Sequence, residues 1–210
     1  MFVLLVCALL TVAAADECRC TPNQWEGDMG LVLGSTYAGN TSLTEGTMQI
    51  SYDAVKKMIV TRQSLMYNNI PVQQTIIEDF TNGISYTVTA QGCSSKALGP
   101  WIPNCIPSNA TTANLRYGLG DNSVDARSYM VDYGTFMVYF AVTADTCVPV
   151  AEDVTGTFDG AQIMEVITFA NIKAGISDSN VFAIPANCPT QNSVPLPGVN
   201  RRASMFRGYV

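Results

Sequence analysis

Residues 48–62 read MQISYDAVKKMIVTR, and their pattern decides the fold class. Met48, Ile50 and Tyr52 alternate with Gln49 and Ser51, the two-residue period of an extended strand with one apolar face. Tyr52-Asp53-Ala54 reads as a turn, and Val55 to Arg62 as the returning strand. The alternation recurs where Ile84, Tyr86 and Val88 face away from Ser85, Thr87 and Thr89. Gly134 to Thr143 (GTFMVYFAVT) is apolar on both faces, as suits a central strand covered on both sides. Gln162 to Ala170 (QIMEVITFA) is a further β-branched run. Asn82-Gly83, Gly99-Pro100, Gly120-Asp121-Asn122 and Asp159-Gly160 divide these runs with turn chemistry. No long amphipathic helix is visible, and a short helical turn is expected at Asn171 to Ile176. The prediction is an all-β domain: two antiparallel sheets packed as a curved sandwich or half-barrel, with at most short helices.

Seven cysteines and no histidine set the chemistry. Residues 1–15 (MFVLLVCALLTVAAA) are uncharged and apolar and end in small residues, so they read as a cleaved signal peptide that takes Cys7 with it. The remaining Cys18, Cys20, Cys93, Cys105, Cys147 and Cys188 are an even set in an exported chain, which reads as three disulfides. Residues 16–188 then form one domain, and residues 189–210, rich in Pro, Gly and Asn, a flexible tail. The expected location is extracellular, with the lysosomal lumen as the other compartment that tolerates disulfides. No later apolar run is long enough for a transmembrane helix.

Without imidazole, every Ser-His, Cys-His or His-metal site is excluded. No nucleophile elbow, P-loop or dinucleotide fingerprint is present. A carboxylate pair could serve a glycosidase, but nothing in the spacing of the acids selects two. The chain reads as a non-enzyme that requires no cofactor. Its net charge of −6 disfavours nucleic acid as a partner. Asp121, Asn122 and Asp125 offer oxygen ligands for calcium in a Gly-containing turn, although a solvated turn is the better reading of them and the EF-hand pattern is absent. Asn40-Thr41-Ser42 and Asn109-Ala110-Thr111 are glycosylation sequons on Asn40 and Asn109.

Several stretches, in order, resemble the ependymin and ependymin-related family of secreted glycoproteins. CTPNQWEG (Cys20 to Gly27) resembles the family's opening block, and ISYDAVKKMIVTR (Ile50 to Arg62) is similar to its first hairpin. DTCVPV (Asp145 to Val150) and FANIKAGISDSNVFAIPANC (Phe169 to Cys188) resemble its later signatures. The resemblance implies a half-barrel similar to bacterial lipoprotein-carrier domains, homodimerisation, calcium association, N-glycosylation, cell-matrix adhesion and an apolar pocket. It implies bridges Cys20–Cys147 and Cys93–Cys188, and leaves Cys18 with Cys105. Asn109 stands where family members commonly carry a sequon.

The expected function is non-enzymatic binding of a lipid or other hydrophobic small molecule. Met48, Ile50, Ile84, Tyr86, Phe136, Val138, Phe140, Ile163 and Phe169 are the candidate pocket-lining residues, with an ordinary closed core as their other reading. The alternative function is that of a calcium-binding structural or adhesive component of the extracellular matrix.

Overall fold

The structure, a computed structural model, describes residues 18–101, 103–158 and 160–189. The expected leader, and the tail from residue 190 onward, lie outside the described residues. The described chain forms β1 (Gln24–Tyr37), β2 (Asn40–Asp53), β3 (Met58–Tyr67), β4 (Ile70–Asp79), β5 (Ile84–Thr89), β6 (Gly92–Ala97), β7 (Thr111–Leu119), β8 (Asn122–Asp132), β9 (Phe136–Thr143), β10 (Pro149–Phe158) and β11 (Ala161–Ala174). A short 3-10 helix, Ser179–Phe182, follows. All pairings are antiparallel, in the order β6-β5-β4-β3-β2-β1-β11-β10-β9-β8-β7. The all-β antiparallel prediction holds, and its two halves belong to one unbroken open sheet.

The connection between β6 and β7 shows why this sheet must curl. These strands are consecutive in sequence yet occupy opposite edges. Ten inter-strand steps would separate them by ~48 Å on a flat sheet. Residues 98–110 could bridge that distance only if fully extended, since the steps from Ala97 to Thr111 reach ~46–50 Å. They are not taut: Trp101 packs on Tyr52 and Phe80, and Ile106 is buried. Curling brings the edges within reach and encloses one face as the core.

Register identifies that face. Trp25, Met29 and Leu31 of β1 lie beside Tyr52, Met48 and Ile50 of β2, Ile59 of β3, Ile76 of β4, Ile167 of β11, Phe140 of β9 and Tyr129 of β8 in one buried cluster. Each such side chain contributes ~1.5–3 kcal/mol of apolar burial. Trp25 stacks on Tyr52 with ring centroids 5.5 Å apart and meets the edge of Phe169 at 5.9 Å. On the outer face, Val60, Ile77 and Tyr86 form a second cluster, covered by Ile176, Val181 and Phe182 of the C-terminal segment.

The boundaries differ from expectation in instructive ways. Val55 to Lys57 belong to the turn after β2, because Asp53 is buried and its carboxylate accepts the Lys56 N–H at 2.8 Å. The helical turn expected at Asn171 to Ile176 is largely strand. Asn171 takes φ 53° at a bulge opposite β1, and the helix forms later, capped by Asp178.

The disulfides also correct the implied pairing. The structure joins Cys18 to Cys147, Cys20 to Cys105 and Cys93 to Cys188. The N-terminal segment fixes the first two by its path. The Tyr129 hydroxyl donates to the Cys18 carbonyl at 2.6 Å, which sets Cys18 beside the β9–β10 loop that carries Cys147. One step along, Cys20 pairs with Cys105 as an isolated antiparallel bridge. The Ile106 N–H donates to the Arg19 carbonyl at 2.6 Å and the Thr21 N–H to the Asn104 carbonyl at 2.9 Å.

Candidate functional site

The nine candidate pocket residues do not line one cavity. Met48, Ile50, Val138 and Phe140 are closed into the core at 2% exposure or less. Phe136, Ile163 and Phe169 pack partly buried against that same side. Ile84 and Tyr86 belong to the opposite face, in the cluster under the C-terminal segment. Alternation places a residue on one of two faces, and only the register between strands says which faces coincide.

The prominent cavity is a trough of about 830 Å³ on the outer face. Its axis is a cross-strand row, read from the register: Ala170 (β11), Asp28 (β1), Gln49 (β2), Arg62 (β3), Thr75 (β4) and Val88 (β5). A second row, Gly30, Thr47, Ser64 and Gln73, lies beside it. Met29, Met48 and Gln63 contribute from the floor, because their side chains are buried toward the core. Over Gly30, Thr47 and Ser64 the short side chains leave the sheet surface low, which forms the depression. A Cβ on Gly30 would come within 2.8 Å of Thr168 Oγ1, so bulk at this position is opposed. A smaller cavity of about 290 Å³ continues the trough past Glu26, Ser51, Asn171 and Lys173, sharing Asp28, Gln49 and Arg62 with it.

The C-terminal segment flanks this end of the trough, tied down at several points. Cys188 is bonded to Cys93. Asn171 Nδ2 donates to Asp28 Oδ2 at 2.7 Å. Glu26 accepts from the Ser177 hydroxyl and from its backbone N–H. These two bonds, the hydroxyl's first, outweigh the small cost of burial and hold the Glu26 carboxyl below its usual range. A folded pKa below the unfolded one stabilises the protein above the ordinary carboxylate pKa, and that contribution fades as the pH falls through the folded value. Glu26→Gln is therefore expected to lower the melting temperature slightly near pH 7, with the difference from the parent shrinking as the pH falls through the carboxylate's folded pKa, measured by thermal denaturation across pH.

The other expected sites fall elsewhere. Asp121 and Asn122 lie at the exposed β7–β8 turn, while Asp125 is engaged by Arg116 at 2.9 Å. No group of three or more acidic or cysteine side chains is placed to hold a metal among the described residues. Asn40 is exposed at the start of β2, and Asn109 is exposed in the turn before β7. Sequence reasoning did not find three glutamates, Glu78, Glu152 and Glu165, buried at 1% exposure or less on the core face. None of them lacks a partner. Glu152 lies diagonal to Glu165 across β10 and β11, sealed from solvent among Phe140, Val154 and Ile167.

Comparison with known proteins adds the family. The ependymin family model matches residues 68–188. No curated protein matches the sequence. Among solved structures the chain is similar to a LolA superfamily protein from Nitrosomonas europaea, at 10% identity and TM-score 0.34, over 81% of this chain and 94% of that one. It is also similar to MucB, at 12% identity and TM-score 0.39, over 79% of this chain and 58% of that one. Likenesses at this level carry no argument about function. No helix among the described residues is long and apolar enough to cross a membrane. The matched region runs from the β3–β4 turn through β11 to Cys188 and takes in both ends of the Cys93–Cys188 bridge, over more than half of the sequence; the chain belongs to the ependymin family.

Proposed function

We propose that this chain is a secreted, non-enzymatic binding protein whose ligand, a lipid or other hydrophobic small molecule, lies along the outer-face trough. The observation that carries the reading is the trough itself. Its volume of about 830 Å³ falls within the range of small-molecule sites, and it lies open across six neighbouring strands. Family membership and three disulfides support export to an oxidising compartment.

Binding would draw on apolar burial at ~25 cal/mol per Å², less the costs of association. Native mass spectrometry of the protein from its own source is expected to find a bound small molecule. Titration of the emptied protein with a fluorescent alkyl probe is expected to saturate at one site per chain. Protein that carries no ligand and binds no such probe would refute the proposal.

A further inference from the structure

We propose that the Cys20–Cys105 bridge is a site of reversible thiol–disulfide exchange. A dithiol reductant opens it ahead of the other two bridges, and its opening loosens the β6–β7 crossover from the N-terminal segment. The site lies away from the trough and does not depend on what the trough binds.

Access separates the three bridges. Cys20 and Cys105 are both exposed. Cys18 is 6% exposed and Cys188 is 7% exposed, so each of the other bridges has one half-cystine closed into a core cluster. Exchange requires a thiolate to reach a sulfur of the bridge, and access therefore sets the order of reduction. Arg19 adjoins Cys20 in the chain, and its guanidinium donates across to the Pro107 carbonyl at 3.2 Å. A cation in this position favours the thiolate that leaves when the bridge opens.

The surrounding backbone allows the bridge to open and close again. The Thr21 N–H donates to the Asn104 carbonyl, and the Ile106 N–H to the Arg19 carbonyl. The Asn104 amide also donates to the Thr21 carbonyl at 2.6 Å. These bonds flank the sulfurs on both sides and need no disulfide. They set Cys20 opposite Cys105 as a non-hydrogen-bonded antiparallel pair, the Cα atoms 3.9 Å apart. The two thiols therefore stay face to face after reduction. Cys18 does not compete for Cys105 while it is bonded to Cys147.

Opening changes one segment above all. The crossover joins opposite edges of the sheet and sends Trp101 against Tyr52 and Phe80 and Ile106 into the core. Cys105 is the only cysteine of residues 98–110, so this bridge is the crossover's one covalent cross-link. Once it is open, hydrogen bonds and packing alone hold the segment, and local opening becomes easier. In the exchange, a thiolate of the reductant attacks Cys105 Sγ and the S–S bond breaks. Its electron pair leaves on Cys20 Sγ, which takes up a proton. The reductant's second thiolate then attacks the mixed disulfide, and Cys105 leaves and is protonated in turn. Two electrons and two protons pass to the protein, and the reductant departs as its own disulfide.

The test treats the full folded protein with graded dithiothreitol in the absence of denaturant, traps free thiols with N-ethylmaleimide and maps the peptides. Trypsin cleaves after Arg19, which puts Cys18 and Cys20 on separate peptides. Cys20 and Cys105 are expected to be labelled together, at least about tenfold faster than the other four half-cystines. The opened protein is expected to stay folded, with a melting temperature lowered by ~4–16 °C. Amide exchange is expected to accelerate in residues 103–110 ahead of the central strands. Cys20→Ser combined with Cys105→Ser is expected to reproduce both changes. Replacing dithiothreitol with oxidised glutathione before trapping is expected to restore the same bridge. Labelling of all six at one rate, or of Cys93 or Cys147 first, would overturn the site. Reoxidation to a Cys18–Cys105 pair would overturn its reversibility. Selective labelling with unchanged melting and exchange, or with loss of the whole fold, would overturn the loosening of the crossover.

Discussion

Replacing Trp25 with alanine is expected to lower the stability of the domain by about 3–5 kcal/mol, the largest effect of any single substitution considered. Trp25 is fully buried at the start of β1, stacked on Tyr52 and edge-on to Phe169. It thereby joins β1, β2 and β11, the middle of the sheet order. Tyr52 also touches Trp101, so the same aromatic group fixes the crossover that spans the sheet. Truncation would leave a cavity in a region that cannot easily collapse, because disulfides anchor the segments on either side of it. For a domain of this size the loss corresponds to a fall in melting temperature of ~6–20 °C. Urea denaturation would measure it, and a loss below about 1 kcal/mol would show that the core is not centred on Trp25.

Removing the Cys93–Cys188 bridge in a double alanine variant is the second large effect. The bridge closes a sequence separation of 95 residues, and its loss is expected to cost ~2–4 kcal/mol through the freed unfolded chain. Its local consequence distinguishes it from a general destabilisation. The C-terminal segment covers Val60, Ile77 and Tyr86, and it makes no strand pairing beyond Ala174. Amide exchange is therefore expected to accelerate most in residues 176–188, ahead of the central strands. An unchanged melting temperature, or exchange accelerated uniformly over the sheet, would contradict the assignment of this segment as a tethered flank of the trough.

The sequence made the fold class legible wherever one face was apolar and the other polar. β2 and β5 announced themselves in this way, whereas β9 and β11 were legible as apolar, β-branched runs, with Val138, Phe140 and Val142 of β9 buried. β1 was harder to read, because glycines interrupt QWEGDMGLVLGSTY on both faces, Gly27 on the core side opposite Ile50 and Gly30 and Gly34 on the outer side. β7 has no buried residue along its length, so there was no apolar face to find. β10 carries Glu152 on its core side, which hides the alternation.

The trough was not legible at all. Asp28, Gln49, Arg62, Thr75, Val88 and Ala170 sit on six separate strands with no shared pattern in the sequence, and only the register sets them in a row. The swap between the Cys18 and Cys20 partners has a similar cause. Two half-cystines a single residue apart are indistinguishable by spacing, and the path of the N-terminal segment past Tyr129 and Asn104 decides between them.

The claim at the centre of this account is that ligand lies on the outer face of the sheet rather than among the aromatic residues of the core face. Photo-crosslinking with a diazirine-bearing long-chain carboxylate, followed by peptide mapping, tests it most directly. The account predicts adducts within residues 28–32, 43–49 and 62–66, suppressed by an excess of unlabelled carboxylate. Adducts confined to Phe140, Ile167 and Phe169 would contradict it and return the ligand to the core face.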